Sequence, residues 1–95
     1  MDTAPLSPEQ KQDLLHRLAR VEGQLRGVQR LIALAAEPSD CDAAAQQMAA
    51  ASKALDRCFV RLLSASLRTQ CGAADDLGAA RAAADHLAQI LDKYL

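Results

Sequence analysis

The sequence predicts an all-α protomer of three helices, and three observations lead to this prediction. Apolar residues recur at alternating spacings of four and three over two long segments and one short one, which is typical of a helix with a narrow apolar edge. Helix-start signals precede both long segments. No segment alternates apolar and polar residues as a half-buried strand does. At 95 residues, the chain is predicted to form a single domain, 1–95, with 1–6 as a flexible N-terminus.

The first helix has the clearest start signal. Ser7 is placed to cap it, Pro8 suits the first helical position, and Gln10 completes a capping box with Ser7. The helix is predicted to run from Pro8 to about Ala36, before Pro38 breaks the pattern. Its apolar edge consists of Leu14, Leu18, Val21, Leu25, Val28, Ile32 and Ala35.

The second helix is predicted from about Asp40 to Gln70, with Ser39 as its cap, Asp42 completing a second capping box and Gly72 ending it. The third is shorter, from about Asp76 to Tyr94. The apolar edge of the second helix consists of Ala44, Met48, Ala51, Leu55, Cys58, Leu62 and Ala65.

The composition favours self-association. Hydrophobic residues make up 51% of the chain, but the aromatic ones are one Phe and one Tyr. Small side chains bury little area per contact, so a chain of this size gains much of its core from copies of itself, and we expect a homo-oligomer. Few aromatic residues argue against a base-stacking platform for single-stranded nucleic acid. Without a long apolar run or a secretory signal, we expect a cytoplasmic protein with no membrane partner.

Basic side chains are concentrated on the two long helices although the formal net charge is −1. On the second helix, four cations recur within a sector of about 80°. Such stripes neutralise phosphates, so double-stranded DNA is the expected partner, bound mostly through its backbone. A solvated face with weak ion pairs is the alternative interpretation. The predicted DNA-binding residues are Arg17, Arg20, Arg26, Arg30, Lys53, Arg57 and Arg61, and Arg68 completes the stripe on the second helix.

The three cysteines occupy different helical positions. Cys58 lies in the apolar edge of the second helix and is predicted to be a buried hydrophobe. Cys41 is predicted at the second position of that helix, where free backbone N–H groups favour a thiolate. It shares a sector of about 40° with Ser66 and Gln70, whereas Cys71 lies about 100° away. Cys41 is therefore the candidate reactive or metal-binding thiol, and an inert cysteine in the capping region is the alternative.

The segment HRLARVEGQLRGVQRLI at 16–32 carries a specific motif, R-x-x-R-x-E-G-Q-x-R-G. Together with DCD at 40–42, QQMAA at 46–50 and ALDR at 54–57, it resembles the CsoR/RcnR family of bacterial ligand-responsive repressors over nearly the whole chain. The resemblance implies a three-helix protomer, an antiparallel dimer with a four-helix-bundle core, and a tetramer made of two dimers. It further implies an operator-bound repressor that a small inducer releases, without a helix-turn-helix.

The resemblance also implies a sensing cluster that joins a Cys near the start of the second helix to the end of that helix in the other protomer. Cys41 matches the first position. The distal positions, which hold His and Cys in the copper sensors, are Ser66 and Gln70 here. Neither residue is a soft ligand for Cu(I).

Other branches of the family match less well. The nickel and cobalt branch needs several His ligands that this chain lacks, and the formaldehyde branch has a proline where this chain has Asp2. The persulfide-sensing branch pairs two cysteines, and Cys71 lies one residue beyond the distal position. We favour thiol-based sensing by Cys41 and Cys71, and Cu(I) bound by the same two residues is the alternative.

The sequence also bears on two classes of function other than a repressor. A helical protein–protein interaction module is the alternative that the basic stripes leave open. An enzyme is not expected, because no pair of titratable groups converges at hydrogen-bond spacing and few large side chains exist to wall a substrate pocket.

Overall fold

The computed structural model describes residues 4–73 and 76–94, apart from the side chains of Cys71 and Ala73. It contains three α-helices: α1 (Pro8–Ala33), α2 (Pro38–Ala73) and α3 (Leu77–Tyr94). The described part of the chain has no strand, so the predicted all-α, three-helix class is confirmed. Residues 1–3 of the predicted flexible N-terminus lie outside the described residues. None of the helices in the described ranges is long and apolar enough to span a membrane.

The start of α1 follows the predicted capping box. The Ser7 hydroxyl accepts a hydrogen bond from the Gln10 backbone N–H at 3.1 Å, and the Ser7 N–H donates to Gln10 Oε1 at 2.8 Å. Both groups would otherwise lack a partner at the helix end. The other end differs from the prediction, because α1 stops at Ala33 rather than Ala36.

The start of α2 corrects a second prediction. The helix begins at Pro38, and Ser39 lies inside it rather than capping it. Asp40 Oδ2 instead accepts the backbone N–H groups of Ala36 and Glu37, at 2.9 and 3.0 Å. The N–H groups of these two residues therefore do not continue the hydrogen bonding of α1. Pro38 also disfavours a helical conformation at the residue before it. The two bonds therefore explain both the early end of α1 and the early start of α2.

The turn between α2 and α3 is also displaced from the prediction. The helix α2 continues through Gly72 to Ala73, and Gly72 does not adopt the positive φ of a left-handed cap. Asp76 caps α3, since its carboxylate accepts the Ala79 N–H at 2.7 Å and its carbonyl accepts the Ala80 N–H at 3.1 Å. The backbone of Cys71 is thus helical, which keeps position 71 about 100° round the helix from position 70.

The core is the interface between α1 and α2, which form an antiparallel hairpin. Hydrogen bonds from Gln47 to the Gln24 carbonyl and from Arg61 to Asp13 fix the register of the two helices. This register sets three buried residues of α1 level with three of α2. In order, the pairs are Leu14 with Cys58, Val21 with Ala51, and Val28 with Ala44. Because the spacing along each apolar edge alternates between four and three, each edge contains two sets of residues that recur every seven. Only one of these two sets is buried against the other helix.

Gly27 allows α2 to approach α1 closely. A Cβ atom at Gly27 would collide with the side-chain amide of Gln47, whereas nothing lies within 4 Å of the equivalent position at Gly23. The Gln47 amide uses this space to donate to the Gln24 carbonyl at 3.3 Å. Close approach of the backbone is therefore the role of Gly27, but not of Gly23 within the protomer.

The third helix packs on α2. No described residue of α3 is fully buried. The edge of the Tyr94 ring meets the Phe59 ring in a T-shaped contact, with centroids 6.4 Å apart, which anchors the C-terminal end of α3. The molecule measures 60 × 27 × 12 Å. Its thinnest dimension is about one helix diameter, so both broad faces of the α1–α2 hairpin are open to solvent in the protomer.

Candidate functional site: an apolar face and a basic face

One broad face of the hairpin is apolar. We define the apolar face by the set of apolar-edge residues that is not buried between the two helices: Leu18, Leu25, Ile32, Met48, Leu55 and Leu62. Leu18 is half-buried, and the other five side chains are between 42 and 57% exposed. Isolated exposed apolar residues are ordinary, but a contiguous stripe on both helices is typical of an association surface.

A groove of about 660 Å³ runs along this face. Leu15 and Leu18 line it on α1, Leu55 and Leu62 line it on α2, and Tyr94 reaches it from the end of α3. Leu6, before the start of α1, also lines it. The groove is apolar enough to receive a hydrophobic partner, and it is an unfilled part of the same surface as the stripe.

The opposite broad face is basic. We define the basic face by Arg17 and Arg20 on α1 and by Lys53, Arg57, Arg61 and Arg68 on α2. Arg17 is half-buried and the others are exposed. The hairpin thus brings two stripes together that the sequence could only place on separate helices. Arg26 and Arg30 are exposed but do not continue this face. Arg26 instead lines a shallow groove with Leu25 and Met48 of the apolar face.

Asp13 connects the two helices on the basic face. Its Oδ2 atom accepts a hydrogen bond from Arg17 Nε at 3.0 Å and a longer one from Arg61 at 3.5 Å. Arg17 and Arg61, both predicted to contact DNA, therefore share one carboxylate. The sequence contained a signal for the first pair, since Asp13 and Arg17 are four residues apart on one helix. The second pair depends on the packing of α2.

The predicted sensor residues lie at opposite ends of α2. Cys41 is exposed near its start. Gln70 Nε2 donates to the Ser66 hydroxyl at 3.1 Å near its end, which confirms that these two residues share a side of the helix. The 25 residues from Cys41 to Ser66 span about 38 Å at 1.5 Å per residue, so the two ends do not meet within a protomer. The side chain of Cys71 lies outside the described residues.

The environment of Cys41 differs from the prediction in one respect. Because α2 begins at Pro38, Cys41 is its fourth residue rather than its second. The free N–H groups of a helix N-terminus belong to the residues before that position, so Cys41 does not lie among them as predicted. Asp40, whose role was not predicted, precedes Cys41. The two backbone hydrogen bonds to its carboxylate hold its pKa below the usual 3.8.

Cys58 is buried, at 5% exposure, as predicted. The histidines, His16 and His86, are exposed on α1 and α3. Among the residues with described side chains, no three His, Cys, Asp or Glu groups converge within the protomer.

The architecture and the two faces define a class of protein: a small helical protomer with an exposed apolar face and a separate cationic face. Residues 10–93 match the family described as metal-sensitive transcriptional repressor. Since the match covers most of the chain, the protein belongs to this family of CsoR/RcnR-type repressors, which is not a family of enzymes. No curated protein and no solved structure matches the chain.

Proposed function

We propose that this repressor is a thiol-based sensor, in which Cys41 of one protomer meets the end of α2 of another and an inducer bound there weakens operator binding. The observation that carries the proposal is that Cys41, Met48, Leu55 and Leu62 follow one another at intervals of seven along a single edge of α2. Ser66 lies one turn beyond Leu62 on the same edge. Cys41 and Ser66 therefore lie on the edge of α2 that carries the apolar face.

Antiparallel pairing of this edge with its copy would bring the sensor together. If Leu55 lies near the two-fold axis, residues whose numbers sum to about 110 are level with one another. Met48 then packs against the partner subunit's Leu62. Cys41 lies level with the partner subunit's Thr69, within one helical turn of the partner's Ser66 and the partner's Gln70. Two such dimers would form the tetramer that the family resemblance implies.

The chemistry of these positions favours sulfur over metal. Ser66 and Gln70 already satisfy one another by a hydrogen bond, and hydroxyl and amide groups are poor ligands for Cu(I). A Cys41 thiolate can take one sulfur atom from a polysulfide, which leaves a persulfide and a polysulfide shorter by one atom. Attack on the sulfur of Cys41 by the partner's Cys71 thiolate would then release hydrosulfide and leave a disulfide between protomers.

Copper sensing is the second candidate, and the description of the family as metal-sensitive favours it. Cu(I) accepts two thiolate ligands, and Cys41 with the partner's Cys71 would supply them. The helical backbone at Cys71 counts against both two-cysteine models, because one residue beyond Gln70 is about 100° further round the helix. A persulfide on Cys41 alone avoids this constraint.

The experiment that tests sensing compares three single variants on operator DNA, each with and without polysulfide. Cys41→Ala is expected to bind the operator but no longer to be released. Cys58→Ala is the control, because its thiol is buried between α1 and α2, and it should respond like the wild type. Cys71→Ala distinguishes a sulfur bridge, which requires Cys71, from an adduct on Cys41 alone.

Mass spectrometry of the treated protein and a Cu(I) titration against a competing chelator complete that test. Added sulfur on Cys41 without tight copper binding is the expected result. A stoichiometric, high-affinity copper site with unmodified thiols would refute thiol sensing and support copper sensing.

Operator binding is proposed to use the basic face, mainly through backbone phosphates. The double variant Arg57→Glu/Arg61→Glu should lose operator binding and keep its melting temperature within a few degrees, since exposed substitutions typically change stability by under about 0.5 kcal/mol. Arg81→Glu, an exposed charge reversal on α3, is the control and should bind normally. Unchanged operator affinity in the double variant would show that DNA binds a different surface of the protein.

Repeating the titration at two salt concentrations separates DNA binding from a protein-interaction role for the same stripe. Binding to phosphates releases counterions, so the affinity must fall steeply as salt rises. Weak binding to duplex DNA that does not depend on salt would favour a protein partner.

A further inference from the structure

The basic face contains a groove that the family assignment does not account for. It has a volume of about 400 Å³ and lies between the start of α1 and the last third of α2. Its polar lining residues are Gln10 and Asp13 on α1 and Arg61, Ser64 and Arg68 on α2. It lies on the opposite side of the hairpin from the apolar face, so pairing through Leu55 would leave it open.

The groove is rich in hydrogen-bond donors that suit an anion. Arg61 and Arg68 lie seven residues apart on the same side of α2, Ser64 lies between them in the chain, and all three line the groove. Guanidinium groups bind phosphate oxygens in pairs. Among the described residues that line the groove, Asp13 is the only acid.

Asp13 occupies the position of an anionic ligand. Its carboxylate already lies within hydrogen-bonding or ion-pairing distance of Arg17 and Arg61, on two different helices. These pairs are about half exposed, so they are weak enough for a competing anion to displace them.

We propose that this groove is a binding subsite for one backbone phosphate of duplex DNA, and that Asp13 is the internal counter-ion that the phosphate displaces. The proposal rests on the proposed DNA-binding function of the basic face. In free protein, Asp13 holds Arg17 and Arg61 side by side and neutralises part of their charge. On DNA, the phosphate takes its place and Arg68 with Ser64 completes the contact. Asp13 thus limits binding to DNA of any sequence.

The test is operator and non-operator binding by Asp13→Asn over a range of salt concentrations. Loss of the carboxylate removes an ion pair that binding would otherwise have to break, so affinity for both DNAs is expected to rise about two- to fivefold. The slope of log affinity against log salt should steepen by up to about one unit for each arginine released. Asp85→Asn on α3 removes the same charge far from the groove and is the matched control, expected to change neither quantity.

Arg68→Gln provides an independent variant, because it alters the groove without touching the Asp13 pairs. It should weaken binding of both DNAs and make the salt slope shallower by about one unit. If the wild type binds DNA and Asp13→Asn binds with unchanged or lower affinity, the phosphate subsite is refuted. The proposed DNA-binding function would still stand. Failure of the wild type to bind any duplex would refute the proposed function itself.

A second arm distinguishes DNA from free phosphate. Inorganic phosphate, added at constant ionic strength, is expected to leave the melting temperature of both wild type and Asp13→Asn unchanged at millimolar concentration. A saturable rise that Arg68→Gln abolishes would assign the groove to a free phosphate ligand and overturn the assignment to the DNA backbone.

Discussion

At the scale of single residues, the two glycines of the first-helix motif have different roles. Both carry the usual helix cost of glycine relative to alanine, about 1 kcal/mol. At Gly27 that cost is offset by the space it leaves for Gln47, whose amide reaches the Gln24 carbonyl. At Gly23 no neighbour within the protomer uses the space. The motif alone does not separate the two, because the difference arises on α2.

Gly23→Ala is therefore expected to raise the free energy of unfolding by up to about 1 kcal/mol. Gly27→Ala should gain little or nothing, because the new methyl group displaces the Gln47 amide and its hydrogen bond. Urea unfolding at one fixed protomer concentration measures both, since oligomer stability depends on concentration. Adding Gln47→Ala should restore the gain at position 27. Equal gains from the two single glycine variants would show that α2 does not approach Gly27 as described.

At the scale of the helices, the sequence predicted some helix boundaries, whereas competition between neighbouring capping groups decided others. The start of α1 was predictable because Ser7 and Gln10 satisfy each other's backbone groups within one turn. At the start of α2 the sequence predicted Ser39 as the cap, but the Asp40 carboxylate takes that role. Asp40 prevails because it binds two backbone amides at once and Pro38 already suits the first helical position.

The Asp40 cap gives a prediction with a defined pH dependence. Its pKa in the folded protein lies below the usual 3.8 because two backbone N–H groups bind the charged form. The stability that it supplies is therefore fully present above the unfolded pKa and is lost as the pH falls through the folded pKa. Asp40→Asn should lower the melting temperature at neutral pH, and its difference from the wild type should shrink as the pH falls through that lowered pKa.

Asp42→Asn is the matched control for this helix start. Asp42 is an exposed carboxylate two residues further along α2, and its replacement should have a smaller effect on melting. Thermal unfolding followed by circular dichroism from pH 2 to 7 provides the comparison. An Asp40→Asn difference that persists unchanged at pH 2 would show that the charge of the carboxylate does not hold this helix start.

At the scale of the whole molecule, the sequence placed the apolar edges of the two long helices, apart from Ala35, which lies beyond the end of α1, but did not show which half of each edge would be buried. That choice depends on the antiparallel register, which pairs Leu14 with Cys58 and leaves Leu18 and Leu55 on the open side. The basic stripes were likewise predictable one helix at a time. That the two stripes form one face, and that Asp13 pairs with Arg61, follows only from the packing of α1 against α2. The sensor is the least predictable feature, because its two halves lie at opposite ends of α2.

The open side leads to a prediction about assembly. A plate one helix thick with a continuous apolar face gains stability by covering that face, so the wild type should be a dimer or a tetramer at micromolar concentration. Leu55→Asp puts a carboxylate near the proposed two-fold axis, where the dimer would bury two of them, one from each copy, and should give monomers. Leu55 is half-exposed in the protomer, so the helices should survive the change.

Leu34→Asp is the control for that experiment, because Leu34 is equally apolar and more exposed, at 74%, but follows the end of α1 outside the apolar face. It should leave the assembly unchanged. Light scattering measures the mass, and circular dichroism shows whether the helices remain. Helical monomers for Leu55→Asp alone would support pairing through this face, and with it the meeting of Cys41 with the distal end of a partner's α2. A wild type that is already a fully helical monomer would refute the pairing, because the two ends of the sensor would then stay about 38 Å apart.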